Sequence, residues 1–577
     1  MSEVHFEVFR KMRRGGGWSL MEVIAQRDDA VKYAKTLVEE GAAGVRVMKE
    51  THQPETGAYM SLSIFEHGAT ESKKKNAKLD DGASSTPCFR PDDLYSYHAR
   101  ATMGRVMAEW LGRHKLTPTE FIHTAAALEK FEATGTVFQH AIQKVAVAQA
   151  SEAESSVAQI VKSLNELCTT AMKRVFKDER RGFFPTLEGG QFGPLAENLA
   201  ANPEGRYVLN GALAKYLARA ASWDAKLRSV LILMAELPAT EPARALLLNA
   251  IDVLVSEILA GAAALADLLG QNPDLGHALM NLVELFLGDE VHVGEGGGQG
   301  INELTRFFAR DELPYARQSI ASRIITELKG MKRLCPSSID EEFKMLRRLG
   351  NKLVRGQGKY LSHEDLMTAF QERSKRLVTH EPLLQFMQNA KTPDERLERL
   401  LTVEENIVGA ENKRTLSTFV LPIISSNSFE AELYAGSPTR MRLRRVAELQ
   451  ERVLRSGFQD VQKNQIASAL DKVAQRIDER SRFLASIETR VANPNERMDM
   501  IFKLCTAGVF TQGALMTKAR QLLMGCLAKP SFLVSYIAQL EQVRSGGVTQ
   551  DEALTELASQ LEKIGIAQAD AMRALAA

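Results

Sequence analysis

A stretch of this chain occurs twice, and no other feature of the sequence limits the fold as much. Thr392-Pro393-Asp394-Glu395-Arg396-Leu397 recurs 101 positions later as Asn493-Pro494-Asn495-Glu496-Arg497-Met498. The apolar positions that follow keep that offset: Leu400 with Ile501, Leu401 with Phe502, Val403 with Leu504. After a slip of two residues, Asn427-Ser428-Phe429 matches Pro530-Ser531-Phe532. Upstream, Glu372-Arg373-Ser374-Lys375 corresponds to Glu479-Arg480-Ser481-Arg482, and Leu346-Arg347-Arg348-Leu349 to Leu443-Arg444-Arg445-Val446. The blocks keep their order, so they describe one unit of roughly 100 residues holding about four helices. A fainter third copy is read from Trp223-Asp224-Ala225-Lys226-Leu227, with Val230 and Leu231 in the matching places.

The repeated element reads as a helix start. Thr or Asn caps, proline suits a first turn whose N–H has no partner to lose, and Glu meets the positive end of the helix dipole. Units of this kind hide their apolar stripes against each other. The period exceeds the roughly 34–47 residues of the common α-solenoids, and none of their signatures occurs. Other helix starts are read at Thr117-Pro118-Thr119-Glu120 and at Ser338-Ile339-Asp340-Glu341, a capping box.

Residues 4–67 have a different texture. Val4, Phe6 and Val8 alternate at strand period. Arg13, Arg14 and Gly15 to Gly17 make a turn, and residues 18–25 read as the second strand of a hairpin. Asp28 is expected to cap a helix over about 29–40, with Ala30, Ala34, Leu37 and Val38 as its stripe and Gly41 as its C′ residue. Strands over 44–50 and 59–66 complete a ββαββ order, in which one helix covers one face of a four-stranded antiparallel sheet. Residues 68–90 lack large apolar side chains and read as a solvated tether.

The expected fold is therefore mainly α: a multi-helix repeat array or stacked helical bundles, with a small N-terminal ββαββ α+β domain. The expected domains are the head (1–67), the tether (68–90), a helical region (91–220), a helical unit with a Gly-rich insertion at 288–300 (221–335), a repeat unit (336–435), and a repeat unit with C-terminal helices (436–577).

Charge and cysteine narrow the function. Lys+Arg is 73 against 72 for Asp+Glu, which leaves no long-range field for nucleic acid or an anionic membrane. Five cysteines, an odd number and none at CxxC spacing, fit a reducing compartment, and the first residues carry no signal-peptide core. The expected location is the cytoplasm. The most apolar stretch, 245–269, is broken by Asn249, Asp252, Glu257 and Asp267, so it reads as buried core rather than a membrane span.

The search for chemistry returns little. The Gly288–Gly300 stretch lacks both GxGxxG and GK[ST], and its acidic residues repel phosphate, so it reads as a flexible insertion. The histidines are scattered, with no HExxH, and no His/Cys/carboxylate spacing fits a metal. His123 and His140 are the pair that can face each other across helices. No GxSxG occurs and no buried acid/base couple stands out. No catalytic residue, metal or cofactor is expected, and the motif search argues against an enzyme. The leading expectation is a non-catalytic scaffold or regulatory adaptor whose helical-repeat surface binds protein partners, its oligomeric state open. The alternative is a sensor or enzyme that takes a small anionic ligand, nucleotide or metabolite, at Gly294, Gly296 and Gly298 or at Arg13 and Arg14. A basic surface of Lys344, Arg347, Arg348, Lys352, Arg355 and Lys359 is the strongest sign of an anionic partner. It lacks interleaved aromatics, which argues against nucleic acid.

Overall fold

The computed structural model describes residues 4–12, 18–53, 58–67, 86–152, 156–433, 435–544 and 547–576. Arg13, Arg14 and most of the tether lie outside the described residues. The chain is mainly α-helical behind a four-stranded N-terminal sheet. It packs into two compact units: Met1–Lys332 with Leu349–Thr368, and Arg333–Arg348 with Ala369–Ala577.

In the head, strands β1 (Val4–Lys11), β2 (Ser19–Ile24), β3 (Gly44–Gln53) and β4 (Ala58–His67) pair antiparallel in the order β2-β1-β3-β4. Helix α1 (Arg27–Glu39) lies between β2 and β3 in sequence. Strand alternation puts Phe6, Val8, Val45 and Val47 on one face, and Ala30, Ala34 and Leu37 of α1 bury them. The expected cap at Asp28 is corrected. The chain turns helical directly after β2, Gln26 is the cap residue, and Asp28 and Asp29 fall in the first turn. Their charge meets the positive dipole end there, without a capping hydrogen bond. Lys49 lies opposite Phe6 in the sheet and is 3% exposed. Its ammonium donates to Ser362 Oγ at 2.9 Å, with Glu364 and Asp365 at 3.5 and 3.6 Å, so the head is tied to residues 362–365 of its own unit.

The next helices are α2 (Tyr97–Val106), α3 (Ala108–His114), α4 (Pro118–His123), α5 (Ala125–Glu132), α6 (Thr136–Glu152) and α7 (Val157–Arg180). The Thr117 capping box at α4 forms in both directions. Trp110, Phe121 and Phe131 pack edge to face, and Phe131 continues to Phe138. Then follow α8 (Phe192–Leu199), α9 (Gly205–Leu217), α10 (Trp223–Ile232), α11 (Glu241–Ala260), α12 (Ala262–Leu269), α13 (Leu275–Leu287), α14 (Gly300–Ala309) and α15 (Pro314–Lys329). The apolar stretch 245–269 is divided between α11 and α12, which bend by 85° at Gly261. Among the described residues, no single helix is long and apolar enough to cross a membrane.

The doubled sequence folds the same way twice. One copy runs α16 (Ile339–Val354), α17 (His363–Leu377), α18 (His380–Met387), α19 (Pro393–Asn406), α20 (Ala410–Ser425) and α21 (Asn427–Glu432). The next runs α22 (Thr439–Arg455), α23 (Asp460–Ser481), α24 (Phe483–Arg490), α25 (Pro494–Thr506), α26 (Ala514–Leu527) and α27 (Phe532–Arg544); α28 (Gln550–Lys563) and α29 (Gln568–Ala576) end the chain. Thr392 caps α19 and Asn493 caps α25, each with proline in the first turn. Leu400, Leu401, Val403, Ile501 and Leu504 are buried as their spacing requires, and Phe429 and Phe532 are fully enclosed. The slip in register lies in the connections, residues 407–409 in one copy and 507–513 in the other. Both connections end on a glycine with positive φ, Gly409 at +105° and Gly513 at +145°, which a side chain rarely adopts.

The fainter copy, the first along the chain, has a junction of the same kind later than Trp223. Trp223 does begin a helix, capped by Ser222. The counterpart of the Thr392 and Asn493 junctions is instead Asn272-Pro273-Asp274. It follows α12, an eight-residue helix like α18 and α24, and precedes α13, which has 13 residues like α25. Asp274 is the cap there, two residues later in register, and α14 is an extra helix before α15.

Candidate functional site

In the first and last copies a carboxylate of the long helix receives the N-terminus of a later helix, and in the middle copy a serine holds the connection just before one. Asp471 of α23 accepts from Ala514 N–H at 2.8 Å, Leu515 N–H at 3.4 Å and the Thr511 hydroxyl at 2.6 Å. Asp252 of α11 accepts from Tyr315 and Ala316 N–H of α15, both at 2.9 Å. In the middle copy Ser374 Oγ of α17 accepts from Val408 N–H at 2.9 Å, and the Gln371 side chain crowds Gly409. Helix starts carry unpaired N–H groups and positive potential, so a buried carboxylate at that point is satisfied and neutralised together.

Copies two and three meet inside the second unit, where α20 packs on α23. Their seam is an open groove of about 690 Å³, lined by Leu421 and Ser425 of α20 and by Asn464, Gln465, Ser468 and Lys472 of α23. Its exposed groups are hydroxyls, amides, the Lys472 ammonium and the Arg476 guanidinium, which pairs with Glu430, over an apolar floor of Leu421, Ile424 and Ala469. That mixture suits a peptide surface, which offers both hydrogen-bonding groups and apolar side chains.

The Gly-rich stretch is a folded connection rather than a flexible one. Gly294 N–H donates to Leu269 O at 2.8 Å, Gly298 N–H to Leu268 O at 3.0 Å and Gln271 N–H to Glu295 O at 3.0 Å. Gly300 N–H donates to Asp224 Oδ1 at 2.8 Å. A Cβ on Gly294 would lie 2.0 Å from Gln271 O, and one on Gly298 2.2 Å from Asp224 Oδ1. Gly296 has open space and φ +80°. Arg13 and Arg14 lie outside the described residues.

The basic residues divide by partner. Lys344 pairs with Glu341 at 2.8 Å. In the first unit Lys352 pairs with Glu284 at 2.5 Å, Arg355 with Asp289 at 3.3 Å and Lys359 with Asp311 at 3.8 Å. Arg347 and Arg348 are exposed. Their counterparts are engaged: Arg444 reaches Glu448 at 3.0 Å, and Arg445 reaches Asp394 at 3.1 Å and Glu398 at 2.8 Å.

Two groups of residues escaped the sequence reading. The first is a buried ionic network. Lys226 pairs with Glu120, both almost wholly enclosed. Arg100 lies 3.5 Å from Glu257, which accepts from the Thr119 N–H at 2.8 Å and hydroxyl at 2.9 Å. Burial pushes the Glu257 carboxyl up, opposed by Arg100 and the Thr119 hydrogen bonds. His123 does not face His140, which is exposed on α6. It is buried beside Tyr95, Tyr207 and Phe184 and donates from Nδ1 to Thr119 O at 2.8 Å. Burial drives its pKa down to about 3, so the ring is neutral. The one sequence signal was charge inside apolar runs, Lys226 in α10 and Glu257 in α11.

The second is a cavity in the first unit, of about 130 Å³, walled by α2, α4, α5, α6, α7 and the extended segment 86–90. Phe121, Phe131, Phe138, Met103 and Met172 are in its wall, with Cys88 and Cys168. Burial pushes both thiols up, Cys168 to about 12, so both are protonated at neutral pH. Among the described residues, no group of His, Cys, Asp and Glu is placed to hold a metal ion. No family model, no curated protein and no solved structure matches the chain.

Proposed function

We propose that this chain is a non-catalytic helical-repeat adaptor that binds a protein partner along the seam between its second and third copies. The observation that carries this reading is the repetition itself. The two clear copies share their helix order and their proline-bearing capped junctions, and the first and last copies share a buried carboxylate that takes a helix N-terminus, so the repeated chemistry is spent on stacking helices. A stack of repeats leaves a groove at each seam, and such grooves suit extended partners. The cytoplasm is the compartment that fits: Cys335, Cys505 and Cys526 are buried single thiols that act as small apolar side chains.

The test compares three full-length chains at native expression level: wild type, Ser425→Arg/Ser468→Arg in the groove, and Thr555→Arg on α28. A partner retained stoichiometrically by wild type and Thr555→Arg, and lost from the groove variant, supports the reading. The same partners on all three chains, or none on wild type, overturns it. Fractionation of the same cells tests the compartment, and recovery with the membranes or the medium overturns it.

A further inference from the structure

We propose that the cavity beside α6 and α7 is a binding site for an uncharged hydrocarbon group of about six to eight carbon atoms. The inference does not depend on the adaptor reading. It starts from the wall. No charged side chain lines the space, and its polar side chains are Tyr95, Gln149, Thr86 and Thr102, besides the two thiols. A carboxylate or ammonium inside would be stripped of water with no counter-charge, so the bound group is neutral. A water molecule needs two to four polar partners, and Phe121, Phe131, Phe138, Met103 and Met172 offer none.

Size sets the second limit. The cavity measures about 130 Å³. An engineered apolar cavity of about 150 Å³ in another protein stays dry and takes up benzene or xenon. One ring fits, or one short run of methylenes. Methionine side chains are unbranched and polarizable, so Met103 and Met172 can follow the outline of either shape and contact a ring face. The access side is also defined. Thr86 and Cys88 come from the extended segment 86–90, so on that side one non-helical stretch of backbone closes the space. Two sources share this chemistry: a free small ring, or the end of an acyl chain whose polar head stays outside.

The two cavity thiols report occupancy directly. The full-length chain is treated with methyl methanethiosulfonate and each cysteine is followed by peptide mass spectrometry, with benzene, with octanoate, or with neither. Benzene at ten times its dissociation constant slows Cys88 and Cys168 about tenfold and leaves Cys335, Cys505 and Cys526, in the other unit, unchanged. Protection by benzene alone points to a free ring, and protection by both ligands to an acyl chain. In Ala171→Phe, or the milder Ala141→Leu should the first not fold, the space is filled and protection disappears. Cys88 and Cys168 rates unmoved by both ligands, or protection equal in the filled variants, overturns the proposal.

Discussion

The repeats and the aromatic region between Tyr95 and Phe184 are both helical, yet they close their interiors differently. In the repeats, buried polar groups close the junctions: Asp471 and Asp252 take helix N-termini, Ser374 takes the connection before α20, and Glu404 of α19 takes Lys413 at 2.5 Å and Gly457 N–H at 2.8 Å. Thr368 Oγ1, Gln462 Oε1, Asn495 Oδ1 and Arg520 Nε are exceptions, buried without a hydrogen-bond partner. In the aromatic region, Trp110 Nε1, His123 Nε2 and Thr124 Oγ1 are buried without a partner, and the helices around them enclose the cavity between α2 and α7. At about 24 cal/mol per Å³, a void of that size costs about 3 kcal/mol. The two regions therefore differ less in how many polar groups stay unpaired than in what closes the space between helices: hydrogen bonds to helix starts in the repeats, aromatic rings around a void in the other. The aromatic region keeps space that a purely structural core would fill.

The strongest way to break this contrast is through the ion pair that anchors the aromatic region. Lys226→Met leaves Glu120 buried without its cation, and the expected loss is about 3–5 kcal/mol in chemical unfolding of the full chain. A loss under about 1 kcal/mol means that water reaches the pair. The repeats supply the next test. Asp471→Ala and Asp252→Ala each strip a buried helix start of its acceptor, with an expected cost of about 2–4 kcal/mol apiece. If Asp252→Ala is much the cheaper, the first copy is not equivalent to the third.

How far the sequence could be read follows from how local each cause is. The Thr392 and Asn493 junctions were legible because cap, proline and early Glu lie within four residues. The head was legible from the alternation of Phe6 with Val8. In the first copy the Asn272-Pro273 junction was not legible, because Asp274 shifts the cap by two residues and α14 adds a helix before α15. The Gly288–Gly300 stretch looked flexible because its composition does not record the carbonyls of Leu268 and Leu269 that hold it. Glu120 and Lys226 are 106 positions apart, and no local pattern announces such a pair. A cavity is harder still, since it arises from side chains that do not fill space, which leaves no periodicity.

A sharper test concerns pH. Unfolded histidine titrates near 6.5, whereas buried His123 holds out to about 3. Between those values the unfolded chain binds a proton that the folded chain refuses. Stability from this group is therefore intact above about pH 6.5 and falls as pH drops, by about 1.4 kcal/mol per unit. At pH 5 the loss is about 2 kcal/mol. His123→Phe keeps a flat ring among Tyr95, Phe184 and Tyr207 and removes the titration. Its stability difference from wild type is expected to shift in its favour by that amount between pH 7 and pH 5. Parallel pH profiles place the imidazole in contact with water and open the aromatic region that the contrast treats as closed by its rings.

The smallest effect separates two arginine pairs that the sequence presents as equals. Arg445 is half-buried against Asp394 and Glu398, so Arg445→Ala strands a carboxylate that is itself buried and costs about 1–2 kcal/mol. Its counterpart Arg348 is exposed, as is Arg347, and Arg347→Glu/Arg348→Glu is expected to change stability by no more than about 0.5 kcal/mol. Stability and binding then divide cleanly. A charge reversal that leaves folding untouched but removes a partner marks α16 as a second contact surface beside the seam. One that changes neither leaves these two cations on a solvated face of α16, a helix whose other copy has put the same pair to structural use. A loss near that of Arg445→Ala means that they, too, hold a partner inside the fold, and that the two copies are closer than their surfaces show.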